Sequence, residues 1–319
     1  MAPSYLRLLE SGELERRAEE ALARLSSCRL CPRRCEVDRL AGERGYCRAG
    51  RQAVVASWNV HPWEEPPISG RRGSGTIFFS GCSGRCRFCQ NYPISQLGVG
   101  RPVDEDELAD MMLELQDRGC HNLNLVTPTH FVPQILNALV RAARQGLALP
   151  LVYNSSGYEE VETLRLLDGV VDIYLPDAKY ADDQAAREFS GFLHYVEANR
   201  AALKEMYRQV GELQVDEEGI AIRGLIIRHL VLPGGVAGTP QVLSWIAREL
   251  SPTVHVSLLS QYFPAHRALG HPLLGRKLTW EEYDAAIAAF EAAGLENGWL
   301  QELEEEDGSS VHQVDREGK

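Results

Sequence analysis

The run Thr76-Ile-Phe-Phe-Ser80-Gly81-Cys82-Ser83-Gly84-Arg85-Cys86-Arg87-Phe88-Cys89-Gln90-Asn91 joins a short β-rich segment directly to a loop carrying three cysteines in the spacing C-x3-C-x2-C. Three thiols within eight residues do not pair easily with one another, because a disulfide needs well-separated Cα atoms and converging Cβ vectors. The spacing points to metal instead. Three thiolates on one loop can hold three irons of a [4Fe-4S] cluster and leave the fourth open to an outside ligand; a zinc site or a plain electron-transfer cluster is the alternative. Gly81 and Gly84 let the loop curl, and Arg85 and Arg87 stand beside a cluster that would carry negative charge.

Downstream, short β-rich runs alternate with amphipathic helical stretches. The strands are expected at 76–80, 122–127, 151–154, 171–175, 225–232 and 254–259. Between the first two, Asp104 can cap a helix with Glu107 three residues on, Leu108, Met111, Met112 and Leu115 share one face, and Gly119 ends it. Further helices fit 131–145, 158–167, 182–208, 239–250 and 279–293. Six strands alternating with helices imply an α/β fold with a parallel sheet, either open and doubly wound or a complete or partial barrel. In every form, chemistry belongs at the C-terminal ends of the strands, where the cysteine loop stands.

Upstream, residues 6–25 have a helical rhythm, and Cys28, Cys31, Cys35 and Cys47 follow at once. Four thiolates can close a tetrahedral zinc site or hold a complete auxiliary [4Fe-4S] cluster, and iron–sulfur is favoured because the chain already needs cluster assembly. Arginines 29, 33, 34, 39, 44 and 48 crowd this segment, which opens a zinc-knuckle reading with nucleic acid as partner. They equally offset thiolate charge. Residues 59–75, rich in Pro and Gly, read as a linker. The expected division is 1–70 for the N-terminal helix, four-cysteine segment and linker, 71–300 for the β/α domain, and 301–319 for an acidic, disordered tail. Cys120 reads as a packing residue, and His130, His229 and His255 as satisfied histidines of the fold.

The 319 residues carry 33 Lys and Arg against 45 Asp and Glu, a formal charge of −12, which is the wrong sign for a chain living on a phosphate backbone. No basic leader with an apolar core and no window of eighteen apolar residues occurs, so a soluble, cytoplasmic protein without a membrane partner is expected.

The cysteine loop, with an aromatic before its third cysteine, resembles that of the radical S-adenosylmethionine (SAM) superfamily. The wider chain, through Cys28-Arg-Leu-Cys-Pro-Arg-Arg-Cys35, Asn124-Leu-Val-Thr-Pro-Thr-His130, Val152-Tyr-Asn-Ser-Ser-Gly-Tyr158, Asp172-Ile-Tyr-Leu-Pro-Asp-Ala-Lys179 and Ile227-Arg-His-Leu-Val-Leu-Pro-Gly234, resembles PflX-like proteins related to pyruvate formate-lyase activating enzymes. The resemblance implies a partial (β/α)6 barrel of TIM type behind a small cysteine-rich N-terminal segment. It implies that Cys82, Cys86 and Cys89 hold a catalytic [4Fe-4S] cluster, whose open iron takes SAM, and that a 5′-deoxyadenosyl radical abstracts hydrogen from a protein or peptide. A small-molecule substrate or a stable peptide modification is the alternative, and a non-enzymatic iron–sulfur or zinc protein binding RNA or a partner is the third. A reduced flavodoxin- or ferredoxin-type donor is implied as the electron source. Carried over by position, Phe88 would lie against adenine with Gln90 and Asn91 beside it. Thr127 and Thr129 stand where most members carry Gly-Gly-Glu for the amino group of SAM. Asn154 and Ser155 would meet its carboxylate or ribose, Asp177 and Lys179 match an Asp-x-Lys of the activases, Arg228 lies on the fifth strand, and Gln261 and Tyr262 follow the sixth where adenosine is contacted.

Overall fold

A computed structural model describes residues 2–303. The acidic tail expected from residue 301 therefore falls, beyond residue 303, outside the described residues. The strands are β1 (Ala53–His61), β2 (Ser74–Phe79), β3 (Arg101–Val103), β4 (Leu123–Val126), β5 (Leu151–Ser155), β6 (Ile173–Pro176), β7 (Gln214–Val215), β8 (Ala221–Leu230), β9 (His255–Leu259) and β10 (Gly298–Leu300). They form one sheet in the order β10-β9-β8-β6-β5-β4-β2-β1-β3, with β7 antiparallel on β8. From β2 to β10 along this path every pairing is parallel, and β10 and β3 stand at its two ends, so the sheet is an open, partial barrel.

The six sequence-derived strands are all present. Four more were not expected. β1 and β3 extend the sheet in antiparallel pairing from the N-terminal side, β1 running through His61 into the stretch read as a linker. That stretch is folded: after β1 comes a turn with Glu64 and Glu65, then a short helix Pro66–Ser69. The expected helix at 182–208 is two helices, Asp183–Ser190 and Tyr195–Val210, because Gly191 takes a left-handed turn at the end of the first. The N-terminal helix is likewise broken, at Ser11–Gly12, into Tyr5–Glu10 and Glu13–Ala23.

Alternation along the strands gives the sheet two different faces. Leu125, Tyr153, Tyr174, Leu225 and Ile227 join the large core under the helices. The inner face carries a smaller core of Val152, Ile173, Leu175 and Ile226, sealed by Ile68 from the short helix after β1. One step further along the strands the inner face turns polar, with Asn154 on β5 and Arg228 on β8. In-register pairing of Phe78, Val126, Asn154 and Leu175 across four strands brings the C-terminal ends of β2, β4, β5 and β6 to one edge. No helix among the described residues is long and apolar enough to cross a membrane.

Candidate metal centre and strand ends

The cysteine loop leaves β2 at that edge and is tied down on three sides. Ser80 N–H donates to Val54 O on β1, Gly81 N–H to Ile94 O, and the N–H groups of Arg85 and Arg87 to the carbonyls of Ser190 and Phe189 at the end of the helix Asp183–Ser190. The loop is also closely cradled. Gly81 sits at φ +84°, where an added Cβ would come within 2.5 Å of Cys47 O, and a Cβ at Gly84 would meet the Phe192 ring at 2.6 Å. Gly84 N–H donates to Cys82 Sγ at 3.3 Å, and Cys89 Sγ lies 3.2 Å from Ser95 Oγ. Burial pushes the Cys82 thiol up to about 12 and that of Cys86 to about 11, with the Lys179 ammonium pulling both back toward ionisation.

Lys179 and Asp177, just past the end of β6, form an ion pair of 2.6 Å. Burial alone would lower the Lys179 ammonium, but Asp177 and the thiols of Cys86 and Cys89 hold it above its ordinary value. The backbone here is fixed by Tyr195, whose hydroxyl accepts from Lys179 N–H at 2.9 Å and lies 3.0 Å from Ser156 O, and by Asn199, whose amide donates to Asp177 O. His229 Nδ1–H donates to Ala178 O at 2.5 Å, and its Nε2 accepts from Thr239. Burial drops this histidine to about 4, so it is a neutral brace.

The other sequence-named residues gather around the same edge. Phe88 and Tyr262 meet edge to face at 5.6 Å, and Gln90 donates to Gln261 O, so the cysteine loop and the loop after β9 are bonded to each other. Tyr262 donates to Leu274 O at 2.7 Å. Asn91 is exposed at the start of the short helix Tyr92–Ser95. Thr127, directly after β4, is in the left-handed region, φ +59°, an unusual place for a β-branched residue. Thr129 is buried and donates to Glu159, while Ser155 Oγ accepts from Gly157 N–H.

Arg228 has partners that the sequence reading missed. Its Nε lies 3.0 Å from Glu65 Oε1 and its Nη1 3.6 Å from Glu64 Oε2. Glu64 Oε1 also accepts from Asn124 Nδ2 at 3.2 Å and Asn154 Nδ2 at 3.5 Å. Burial pushes Glu64 up to about 7 against the pull of Arg228, and the neighbouring Glu65 adds to the rise. The only signal in the sequence was a pair of acids directly before Pro66-Pro67, hidden in a composition typical of a linker.

The four N-terminal cysteines converge. Burial raises the Cys31 and Cys47 thiols, and Cys31 feels Cys47, Cys28 and Cys35 as charged neighbours. Their turns include left-handed residues at Arg34, Glu36 and Arg48. Most of the arginines serve the fold. Arg39 is buried and donates to His130 O and Gly50 O, with Cys28 Sγ 3.9 Å away. Arg33 donates to Ser83 O and Gly191 O, Arg34 pairs with Glu160, and Arg29 with Glu36. Among the described residues, no three His, Cys, Asp or Glu side chains gather tightly enough for a single ion. Cys120 is buried, as expected.

A loop of three thiols, held too tightly for side chains at its glycines and faced by one ammonium, suits a large anionic cluster better than a single ion. The comparisons agree. The profile of the Radical SAM superfamily matches residues 76–234. The uncharacterized protein MJ0674 of Methanocaldococcus jannaschii is 31% identical over 304 residues, spanning 91% of this chain and 82% of its own. A second protein of that organism, the uncharacterized MJ0808, is 27% identical over 157 residues, 44% of this chain and 46% of its own. Solved structures of TYW1 with a lysine-pyruvate adduct bound (TM-score 0.46, 11% identity, 82% of this chain and 90% of that one) and of methylornithine synthase PylB (TM-score 0.41, 14% identity, 98% and 86%) are remote likenesses that carry no detail here. The chain belongs to the radical SAM superfamily.

Proposed function

We propose that Cys82, Cys86 and Cys89 hold a [4Fe-4S] cluster and that the enzyme abstracts hydrogen from a protein or peptide, as activating enzymes of glycyl-radical enzymes do. Reductive cleavage of SAM to a 5′-deoxyadenosyl radical is the chemistry such a cluster supplies when bound. The observation that carries the reading is the Asp177–Lys179 pair beside three thiols on one strand edge. Lys179 offsets thiolate charge, and Asp177 holds Lys179 in place. Phe88 and Tyr262 offer an apolar corner for adenine, with Gln90, Gln261 and Asn91 at its rim. Asn154, Ser155, Thr127 and Thr129 line the adjoining strand ends, where backbone carbonyls and hydroxyls stand in for the missing glutamate. The electron comes from a reduced flavodoxin- or ferredoxin-type donor.

The segment of Cys28, Cys31, Cys35 and Cys47 holds a second metal site, an auxiliary [4Fe-4S] cluster or zinc, which ties down a stretch too short to build its own core. The nucleic-acid reading loses support because Arg33, Arg34 and Arg39 are committed within the fold. A second enzymatic reading, with a small-molecule substrate, is favoured by one observation: the polar set of Glu64, Asn124, Asn154 and Arg228 is enclosed on the inner face of the sheet.

The test is anaerobic reconstitution of the full chain and of a Cys82/Cys86/Cys89→Ala triple variant, with iron, sulfide and zinc counted and 5′-deoxyadenosine assayed after dithionite reduction with SAM. Product from the wild type alone supports the reading, and metal left in the variant identifies the second site. A glycyl radical on a partner, seen by electron paramagnetic resonance, supports the activase form. A product mass shift without a lasting radical supports the second reading.

A further inference from the structure

We infer that Glu64 and Glu65, with Asn124 and Arg228, bind a cationic group rich in N–H donors, a primary ammonium, carried by the molecule that gives up hydrogen. The inference rests on the radical reading above, because it assigns the substrate of that same site.

Hydrogen-bond bookkeeping on the inner face is one-sided. Glu65 is 6% exposed, and neither of its carboxylate oxygens has a hydrogen-bond partner. Arg228 Nε is near enough to Glu65 to attract it but is not aligned to donate, and it too is unpartnered. Asn124 is fully buried; its Nδ2 is committed to Glu64, which can only accept, so the amide orientation is fixed and Oδ1 is left without a donor. Three acceptors thus face one donor. Native proteins rarely leave such groups buried and unpaired, and an ammonium brings three donors and no acceptor.

Charge tells the same story independently. Glu64, Glu65 and Asp177 face Arg228, and Lys179 is already paired with Asp177, so the set is one cation short. Burial is the main cause of the rise of Glu64, and the Glu65 and Asp177 carboxylates nearby add to it against the pull of Arg228. An anionic substrate group would have to displace Glu65 from Arg228. A divalent ion would sit against the guanidinium, and among the described residues no three His, Cys, Asp or Glu side chains gather for one.

The position fits a substrate anchor. A continuous line of charged neighbours runs from the Glu64–Glu65 pair through Arg228, Asp177 and Lys179 to the thiol of Cys86. A molecule held by its ammonium at the acidic pair would extend along this line toward the cysteine loop, and Trp63, 83% exposed, directly precedes the pair.

The experiment uses the full chain, reconstituted anaerobically and saturated with SAM, titrated calorimetrically with n-butylammonium chloride. n-Butanol and sodium butyrate serve as neutral and anionic counterparts, and potassium and magnesium chloride as inorganic cations. The expected result is binding of butylammonium alone, weakened at least tenfold in Glu64→Gln and in Glu65→Gln. Blocked N-acetyl-Gly-Lys-Gly-amide distinguishes the source: its binding points to a lysine side chain of a peptide, and binding of butylammonium without it points to a small amine. Equal binding of butyrate, butanol or the inorganic ions overturns the inference, as does weaker SAM binding with undiminished amine binding in the Gln variants. The ligand series on wild type needs no variant to fold. 5′-Deoxyadenosine formation by wild type without amine tests the radical reading separately, so either can fail alone.

Discussion

Arg33 lies over Tyr46, its guanidinium carbon 3.4 Å from the ring centroid, while its Nε donates to Ser83 O inside the cysteine loop at 2.8 Å. Arg85 of that loop also donates to Tyr46 O and stands 4.9 Å from the same ring. Two arginines from different segments thus share one tyrosine, and Arg33 also reaches Gly191 O, at the break between the helices Asp183–Ser190 and Tyr195–Val210. The four-cysteine segment is therefore clamped onto the loop of Cys82, Cys86 and Cys89.

Removing the clamp should loosen both. Arg33→Ala deletes a stacked cation and two hydrogen bonds to carbonyls, and should cost about 2 kcal/mol in urea unfolding. Arg33→Lys should recover less than half, since an ammonium cannot stack and fork at once. The Ala variant should also lose iron from the Cys82 loop faster on chelator challenge; equal loss rates would show that the clamp does not support the loop.

The Asp177–Lys179 pair predicts a double-mutant cycle. Lys179→Met leaves a largely buried carboxylate beside three thiols, and should destabilise the apo-protein by about 2 kcal/mol, discounted for the partial exposure of Asp177. Asp177→Asn with Lys179→Met should recover most of that stability and none of the iron loading, because neither side chain then offsets thiolate charge. Recovery of loading in the double variant would make the pair structural only.

The Glu159 contribution to stability should fall as the solution becomes less acidic, whereas the neutral His229 works in the opposite direction. Burial pushes Glu159 up to about 7 although Thr129 and Tyr153 donate to it. The unfolded carboxyl loses its proton near 4.5, so between pH 4.5 and 7 the folded state holds the extra proton and stability drops as pH rises, by roughly 3 kcal/mol in total. Below 4.5 this penalty is absent. Glu64 behaves alike. Relative to wild type, Glu159→Gln should gain stability steadily from pH 4.5 to 7 and be the more stable protein at pH 8, in denaturant titrations across that range.

Much of the frame was legible because it depends on local chemistry. Asp104 and Glu107 form the reciprocal cap that their spacing implied, and the six β-rich runs became the parallel strands. What escaped were features set by distant partners. β1 is only partly alternating in burial, and its pairing with β2 is decided by the sheet and not by its own pattern. The break at Gly191 needed knowledge of what docks there. Glu64 and Glu65 escaped because Pro and Gly announce a turn but not what the turn carries into the sheet. Arg228 was singled out from the sequence, yet its partners Glu64 and Glu65 lie more than 160 positions away.

Thr127 carries backbone strain just past the end of β4. Its φ of +59° costs an L-residue about 1–2 kcal/mol, and its N–H is held by Asn154 O at 2.9 Å across the sheet. Thr127→Gly removes that strain at some entropic cost, and should stabilise the protein by about 0.5–1 kcal/mol. Thr127→Val keeps both the strain and the branched shape but loses the hydroxyl, so its stability should stay within about 0.5 kcal/mol of wild type. If the hydroxyl meets the amino group of SAM, Thr127→Val should weaken SAM binding about fivefold, the worth of one hydrogen bond. Thr127→Gly should weaken it at least as much despite the gain in stability. Unchanged affinity in both variants would leave the strained turn to the backbone carbonyls alone and remove Thr127 from the cofactor contacts.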